Sequence, residues 1–188
     1  MPLTTYTAGQ VLTASSLNAN LSFAASAGGL TLIKTQTIGS AVAAVTVTDA
    51  FSATYDNYLI TVNGGVASGD INMGLTLGSA ATGYYSSRLY ILYSSATVTG
   101  DVLSNATNYG TVVRGSTNSL NGSFNLYDPF NAKNTHMTCQ MSGSSTGSFW
   151  QQGGGYLANT TSYTAFTLTC GSGTVTGGTI RVYGYSNS

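Results

Sequence analysis

From Leu30 onward the chain alternates. Tyr58, Ile60 and Val62 fall on one phase of a two-residue period, and so do Ile71, Met73, Leu75 and Leu77. The same period places Leu120, Phe124 and Leu126 together, then Met137, Cys139 and Met141, then Phe166, Leu168 and Cys170. A period of two sends one set of side chains to each face of an extended strand, whereas an amphipathic helix needs 3.6. Turn-forming residues separate the runs at intervals of roughly 8–12 residues, and no helical stretches alternate with them. Roughly nine to eleven strands are therefore expected, packed as antiparallel sheets face to face. The predicted fold is all-β: an antiparallel, jelly-roll-like β-sandwich over residues 30–188, behind an N-terminal arm over residues 1–29.

Local punctuation sharpens this reading. Asn63-Gly64-Gly65 is expected to close the strand opened by Tyr55-Asp56-Asn57, because Asn and Gly tolerate positive φ. Gly39-Ser40 reads as a hairpin between two β-rich runs, and Asp128-Pro129 as a turn. Gly153-Gly154-Gly155 reads as a bulge or sharp bend in the run from Phe149 to Leu157. Residues 94–119, rich in Ser, Thr, Gly and Asn, are expected to form an exposed loop region with one weak strand, Tyr109 to Arg114. In the arm, Pro2 and Gly9 break regular structure. Thr13 can then cap a short helix over about 13–25 with Leu17, Leu21 and Ala24 on one side.

Charge narrows the function. Only 5% of the 188 residues are charged, against about 25% in ordinary soluble domains. Glu is absent, and five Asp balance Lys34, Arg88, Arg114, Lys133 and Arg181 at a formal net charge of zero. Five scattered cations cannot form the phosphate-neutralising stripe of a nucleic-acid binder. No apolar run reaches the roughly 18 residues of a membrane span. The opening Met1-Pro2-Leu3 lacks the basic start and apolar block of a secretory signal, so synthesis in a cytoplasm is expected. Cys139 and Cys170 are too few for a disulfide framework and are read as reduced core residues. A neutral surface rich in hydroxyls and amides suits a protein packed in an assembly.

The chemistry-bearing residues do not assemble into a catalyst. His136 is the single histidine, and no Ser stands in a G-x-S-x-G elbow to use it. Asp56 and Asp128 both follow Tyr at turns, where Asp commonly bonds its own backbone rather than working as half of a carboxylate pair. Asp49, Asp70 and Asp101 lie at strand ends or beside Gly. No Zn²⁺ or Ca²⁺ ligand spacing occurs. The glycine pairs and triplets are followed by no helix that could bind phosphate. No catalytic residue, metal or cofactor is expected. Tyr84, Tyr85, Tyr90, Tyr93, Tyr109, Trp150 and Tyr156 are read as core or interface residues, with stacking on sugar rings as the other use of such side chains.

Two segments carry a family resemblance. The run Phe51-Ser-Ala-Thr-Tyr-Asp-Asn-Tyr58, followed by alternating apolar residues, and the strand Gly178-Thr-Ile-Arg-Val-Tyr-Gly184 resemble the β-sandwich domains of tailed-bacteriophage virion surface proteins. The run from Tyr6 to Asn18 is similar to the opening of many phage tail and virion proteins, where it joins the protein to its neighbours. The resemblance implies a virion structural protein and no enzyme. A short chain with one docking segment suits a head decoration (cement) protein. Such a protein binds the major capsid protein on the outer capsid surface, and a homotrimer is favoured. The alternative is a tail-fibre or receptor-binding module that recognises host-surface carbohydrate. Tyr6, Val11, Leu12, Leu17, Leu21 and Phe23 are the partner-binding candidates.

Overall fold

Each alternating run is a strand in the computed structural model, which describes residues 7, 11, 13–15, 29–144 and 149–186. In chain order the elements are β1 (Leu30–Thr37), β2 (Ala44–Val47), β3 (Asn57–Ala67), β4 (Ile71–Leu77), β5 (Tyr84–Leu92) and β6 (Val98–Ala106). There follow β7 (Val113–Ser116), β8 (Ser119–Tyr127), β9 (Thr135–Ser142), β10 (Phe149–Leu157), β11 (Phe166–Cys170) and β12 (Val175–Tyr185). The fold is all-β. Of the helix expected over about 13–25, Thr13, Ala14 and Ser15 are described and are exposed. The rest of that segment lies outside the described residues.

The alternation sets burial strand by strand. Ile71, Met73, Leu75 and Leu77 are buried along β4, and Met137, Cys139 and Met141 along β9, with His136, Thr138 and Gln140 exposed between them. Among the described residues all pairings are antiparallel, and the strands join into one twelve-stranded sheet that is not closed. Its branch point is β8. One edge of β8 pairs with β9. The other edge is shared: Ser119–Asn121 pair with β7, and Gly122–Tyr127 pair with β3. From that fork one ladder runs β7-β4-β11-β2, and the other runs β3-β12-β1 on one side and β9-β10-β5-β6 on the other.

The two ladders contribute to one core. Phe124 of β8 meets Phe166 of β11 edge-on at 6.2 Å between ring centroids. Phe51 stacks on Phe166 at 5.7 Å and meets Tyr58 of β3 at 4.8 Å. Around these rings lie Val47, Leu75 and Leu168 from one ladder and Ile60, Leu126, Ile180 and Val182 from the other, all fully buried. Offset and edge-on ring pairs add to area burial because a ring's positive edge meets another's negative face.

Four local expectations are corrected. Gly39-Ser40 does not close a hairpin. β1 pairs with β12, Val42 bridges Val175, and β2 then pairs with β11, so the chain passes from one ladder to the other. Ala41 makes that corner at φ 53°. The Asn63-Gly64-Gly65 segment does not end its strand either. Gly64 (φ 79°) and Gly178 (φ 89°) kink β3 and β12 together, a conformation open to residues without Cβ. Beyond the kink the buried phase moves from Tyr58, Ile60 and Val62 to Gly65 and Ala67. Residues 94–119 are not a loop region: they hold β6 and β7, and Tyr109, Val112 and Val113 are buried. Finally, β10 keeps unbroken register with β5 and β9 through Gly153-Gly154-Gly155, so the triplet forms no bulge.

Candidate functional site

The outward side of β8, β9, β10 and β5 is the polar face of the longer ladder, and register orders its side chains into rows. One row runs Ser123, Gln140, Gln152, Leu89; the next runs Asn125, Thr138, Gly154, Ser87; the third runs Tyr127, His136, Tyr156, Tyr85. Gly154 is the gap in the middle row. The rows around it enclose an open groove of about 510 Å³ whose lining includes Ser87, Leu89, Asn125, Thr138, Gln140 and Gln152.

The triplet glycines differ in what they do. A Cβ on Gly155 would lie 2.2 Å from the Tyr85 carbonyl oxygen, and one on Gly153 2.9 Å from that of Ser87. Those two residues let neighbouring backbones approach. At Gly154 the nearest atom to a Cβ is the Met137 oxygen at 3.1 Å, and its φ is not in the left-handed region. Its main effect is to leave the groove floor bare.

The groove is neutral and its two glutamine amides are unspent. Arg88 is the one ionised lining side chain, and its guanidinium is engaged by Asp101, at 2.9 Å from Nε, and by Thr111. Gln140, Gln152, Ser87 and Ser123 make no side-chain hydrogen bond to another described residue. Along one wall the Tyr185 hydroxyl donates to Asn125 Oδ1 at 2.7 Å, which fixes that amide. In the third row Tyr85 and Tyr156 stack at 5.1 Å with 10° between planes, and His136 lies 5.9 Å from Tyr156.

The residues singled out by sequence fall as follows. Val11 is described and 86% exposed; Tyr6, Leu12, Leu17, Leu21 and Phe23 lie outside the described residues. His136 sits among aromatic rings. Asp56 and Asp128 do come together, but as a clasp. Asn131 Nδ2 donates to Asp56 Oδ1 at 3.2 Å and to Asp128 Oδ1 at 2.6 Å, and the Asp128 amide donates to the Asp56 carbonyl at 2.8 Å. The resemblance-bearing segments also meet: Tyr58 pairs with Gly184 across β3 and β12, and a Cβ on Gly184 would strike the Tyr55 ring at 2.4 Å. The Tyr58 hydroxyl donates to the Ser52 carbonyl at 2.9 Å and accepts from its amide at 2.8 Å, tying the approach to β3. These motif residues hold structure.

Cys139 is poorly suited to nucleophilic work. Burial pushes its thiol up to about 11, against a smaller opposing pull from Arg88, so the thiolate is scarce at neutral pH. Burial also raises the Cys170 thiol. Both cysteines are free. Cys139→Ser is expected to destabilise the fold by about 1–3 kcal/mol, because a hydroxyl replaces a soft apolar group in a buried site. Half-buried Cys170→Ser should cost less. Urea unfolding midpoints check both, and equal midpoints for wild type and Cys139→Ser would contradict the packing role.

Among the described residues no group of three His, Cys, Asp or Glu side chains is arranged to hold a metal ion. The groove residues that sequence reasoning did not single out include Ser87, Ser123, Asn125 and Gln152. Their signal was phase: each lies on the outward side of an alternating run. The chain matches no family model, no curated protein and no solved structure.

Proposed function

We propose that the chain is a virion structural protein of a tailed bacteriophage. In this reading it is a head decoration (cement) protein whose body, a sandwich of jelly-roll type, rests on the outer capsid surface. Residues 1–29 supply part of its contact to the major capsid protein or to a neighbouring copy. It works by contact rather than by catalysis.

The observation that carries this reading is the character of the free edges. Among the described residues β1 and β6 each pair on one side only, and they expose Leu30, Leu32, Val98 and Val102, the last at 72%. Unpaired edges with aliphatic side chains invite further strands or subunits, and isolated proteins commonly guard them with Lys or Pro. Here Lys34 is the one Lys on either strand, and neither contains Pro. Low charge makes such surfaces easier to desolvate on assembly. Binding across capsomer boundaries would stabilise the shell by mass action, since the intact lattice presents the site and separated subunits do not.

Leu17→Asp combined with Leu21→Asp is expected to release the protein from heads while leaving the β body folded. Moderate salt should weaken wild-type attachment little, because few charges take part. Decoration of heads by wild type and variant, scored by electron microscopy, checks both. Full decoration by the variant would remove the arm as anchor, and labelling confined to tails would overturn the capsid assignment. Sedimentation is expected to show self-association, with a trimer favoured.

A further inference from the structure

We propose that the groove over Gly154 is a binding site for a neutral saccharide. The inference rests on the groove's chemistry and is independent of where in a virion the chain sits.

Gln140 and Gln152 present two primary amides, each with donor and acceptor side by side. Asn125 already accepts from Tyr185 and donates to Thr138, which leaves it one Nδ2 hydrogen and one oxygen lone pair. Ser87 and Ser123 add hydroxyls that serve as either, and Thr138 adds one already in contact with Asn125 and Tyr127. Vicinal hydroxyls on a sugar ring are the complement of such amides, because one carbonyl and one NH₂ can engage two neighbouring oxygens. Charge gives the second constraint. The groove's single cation is already paired with Asp101 on the ladder's other side, so nothing there rewards an anionic ligand such as a phosphate or a sialic acid. Shape gives the third. A volume of about 510 Å³ lies within the range of small-ligand sites, roughly 300–1,000 Å³. The bare floor at Gly154 lets a ring approach the sheet, with Leu89 as an apolar wall.

The next row supplies a platform. Tyr156 and Tyr85 are stacked, and Tyr156 is 37% exposed. Tyr85 takes one face of the Tyr156 ring and His136 lies against it on the other side, so the stack offers a sugar its exposed rim and its hydroxyls. A saccharide longer than one residue can therefore run from the Gln140–Gln152 row across Gly154 toward Tyr156. Asn125 is held in place by Tyr185 and needs no reorganisation to bind.

The test is titration calorimetry of the full chain with maltohexaose, cellohexaose, a mannan hexasaccharide and a galactan fragment, and with sialyllactose as the charged comparison. At least one neutral probe is expected to bind in the millimolar to high-micromolar range. Gln140→Ala with Gln152→Ala should weaken that binding at least tenfold. Because both side chains are exposed and make no internal hydrogen bond to a described residue, the melting temperature should not change. Ser87→Tyr, which overhangs the floor from the outward side of β5, should abolish binding with the fold equally intact. The proposal is overturned if none of the neutral probes binds, if only sialyllactose binds, or if both variants bind as wild type does. Wild-type protein found only on tails, with saccharide binding retained, would sink the capsid assignment and leave this site standing.

Discussion

Phe166→Ala should lower the melting temperature by about 6–20 °C. Removing a fully buried Phe costs about 3–5 kcal/mol, through lost transfer energy and the cavity left behind. For a chain of this size each kcal/mol shifts the midpoint by roughly 2–4 °C. Phe166 sits where relaxation is hardest, with Phe51 stacked on one side and Phe124 edge-on at another. Phe166 and Phe124 belong to different ladders, so the cavity opens at their junction and neither ladder can close it alone. Tyr93→Ala, at a side chain 63% exposed, should stay within about 0.5 kcal/mol of wild type. A Phe166→Ala variant that melts with wild type would mean that the two ladders do not share a core.

Gly155→Ala is expected to be as damaging, and Gly154→Ala close to silent. The methyl added at position 155 would stand 2.2 Å from the Tyr85 carbonyl oxygen and 2.7 Å from the Ser86 Cβ. β10 is paired on both edges, so it cannot slide away without breaking the register with β5 or β9. Overpacking of this kind costs about 1–3 kcal/mol when side chains can yield, and more when backbone must. At position 154 the tightest contact is 3.1 Å and the methyl points into the open groove, so about 1 kcal/mol or less is expected. Urea midpoints at constant m-value separate the two cases. Equal midpoints would show that the Gly155 approach is not a real constraint.

That contrast marks how far the sequence can be read. Strict alternation in β4 and β9 determines both the strands and their buried faces, because one-sided burial ties phase to position. The motif from Phe51 to Tyr58 also announces a structural centre, and its rings do form one. Gly153-Gly154-Gly155 misleads because a glycine run signals loss of side chains without saying why they are missing. Only the partner backbones at Tyr85 and Ser87 show close approach instead of a bend. Residues 94–119 mislead for the opposite reason. Their polar composition hides β6 and the depth at which Tyr109 lies, its hydroxyl satisfied by donation to the Thr135 carbonyl at 2.8 Å. Gly39-Ser40 looks like a hairpin because adjacent β runs usually pair, whereas here each finds its partner far along the chain. The groove is legible only as a set of outward phases. Which strands lie side by side decides that Gln140, Gln152 and Ser87 converge, and that is a property of topology.

The place of β12 has a consequence for how the molecule comes into being. It lies between β1 and β3, and it joins, for example, Arg181 to Asn63 across 118 positions of chain. Until residues 175–185 have been synthesised, β1 has no ladder partner among the described strands and β3 has one open edge. A nascent chain must therefore hold β1 in waiting while β2 to β11 are made. Folding of that half cannot precede synthesis of β12 and is slow by the distance its ends must search. During this interval the exposed strand edges are open to wrong partners, including other nascent copies. Yield at high expression should thus depend on synthesis rate and temperature more steeply than the finished protein's stability would suggest.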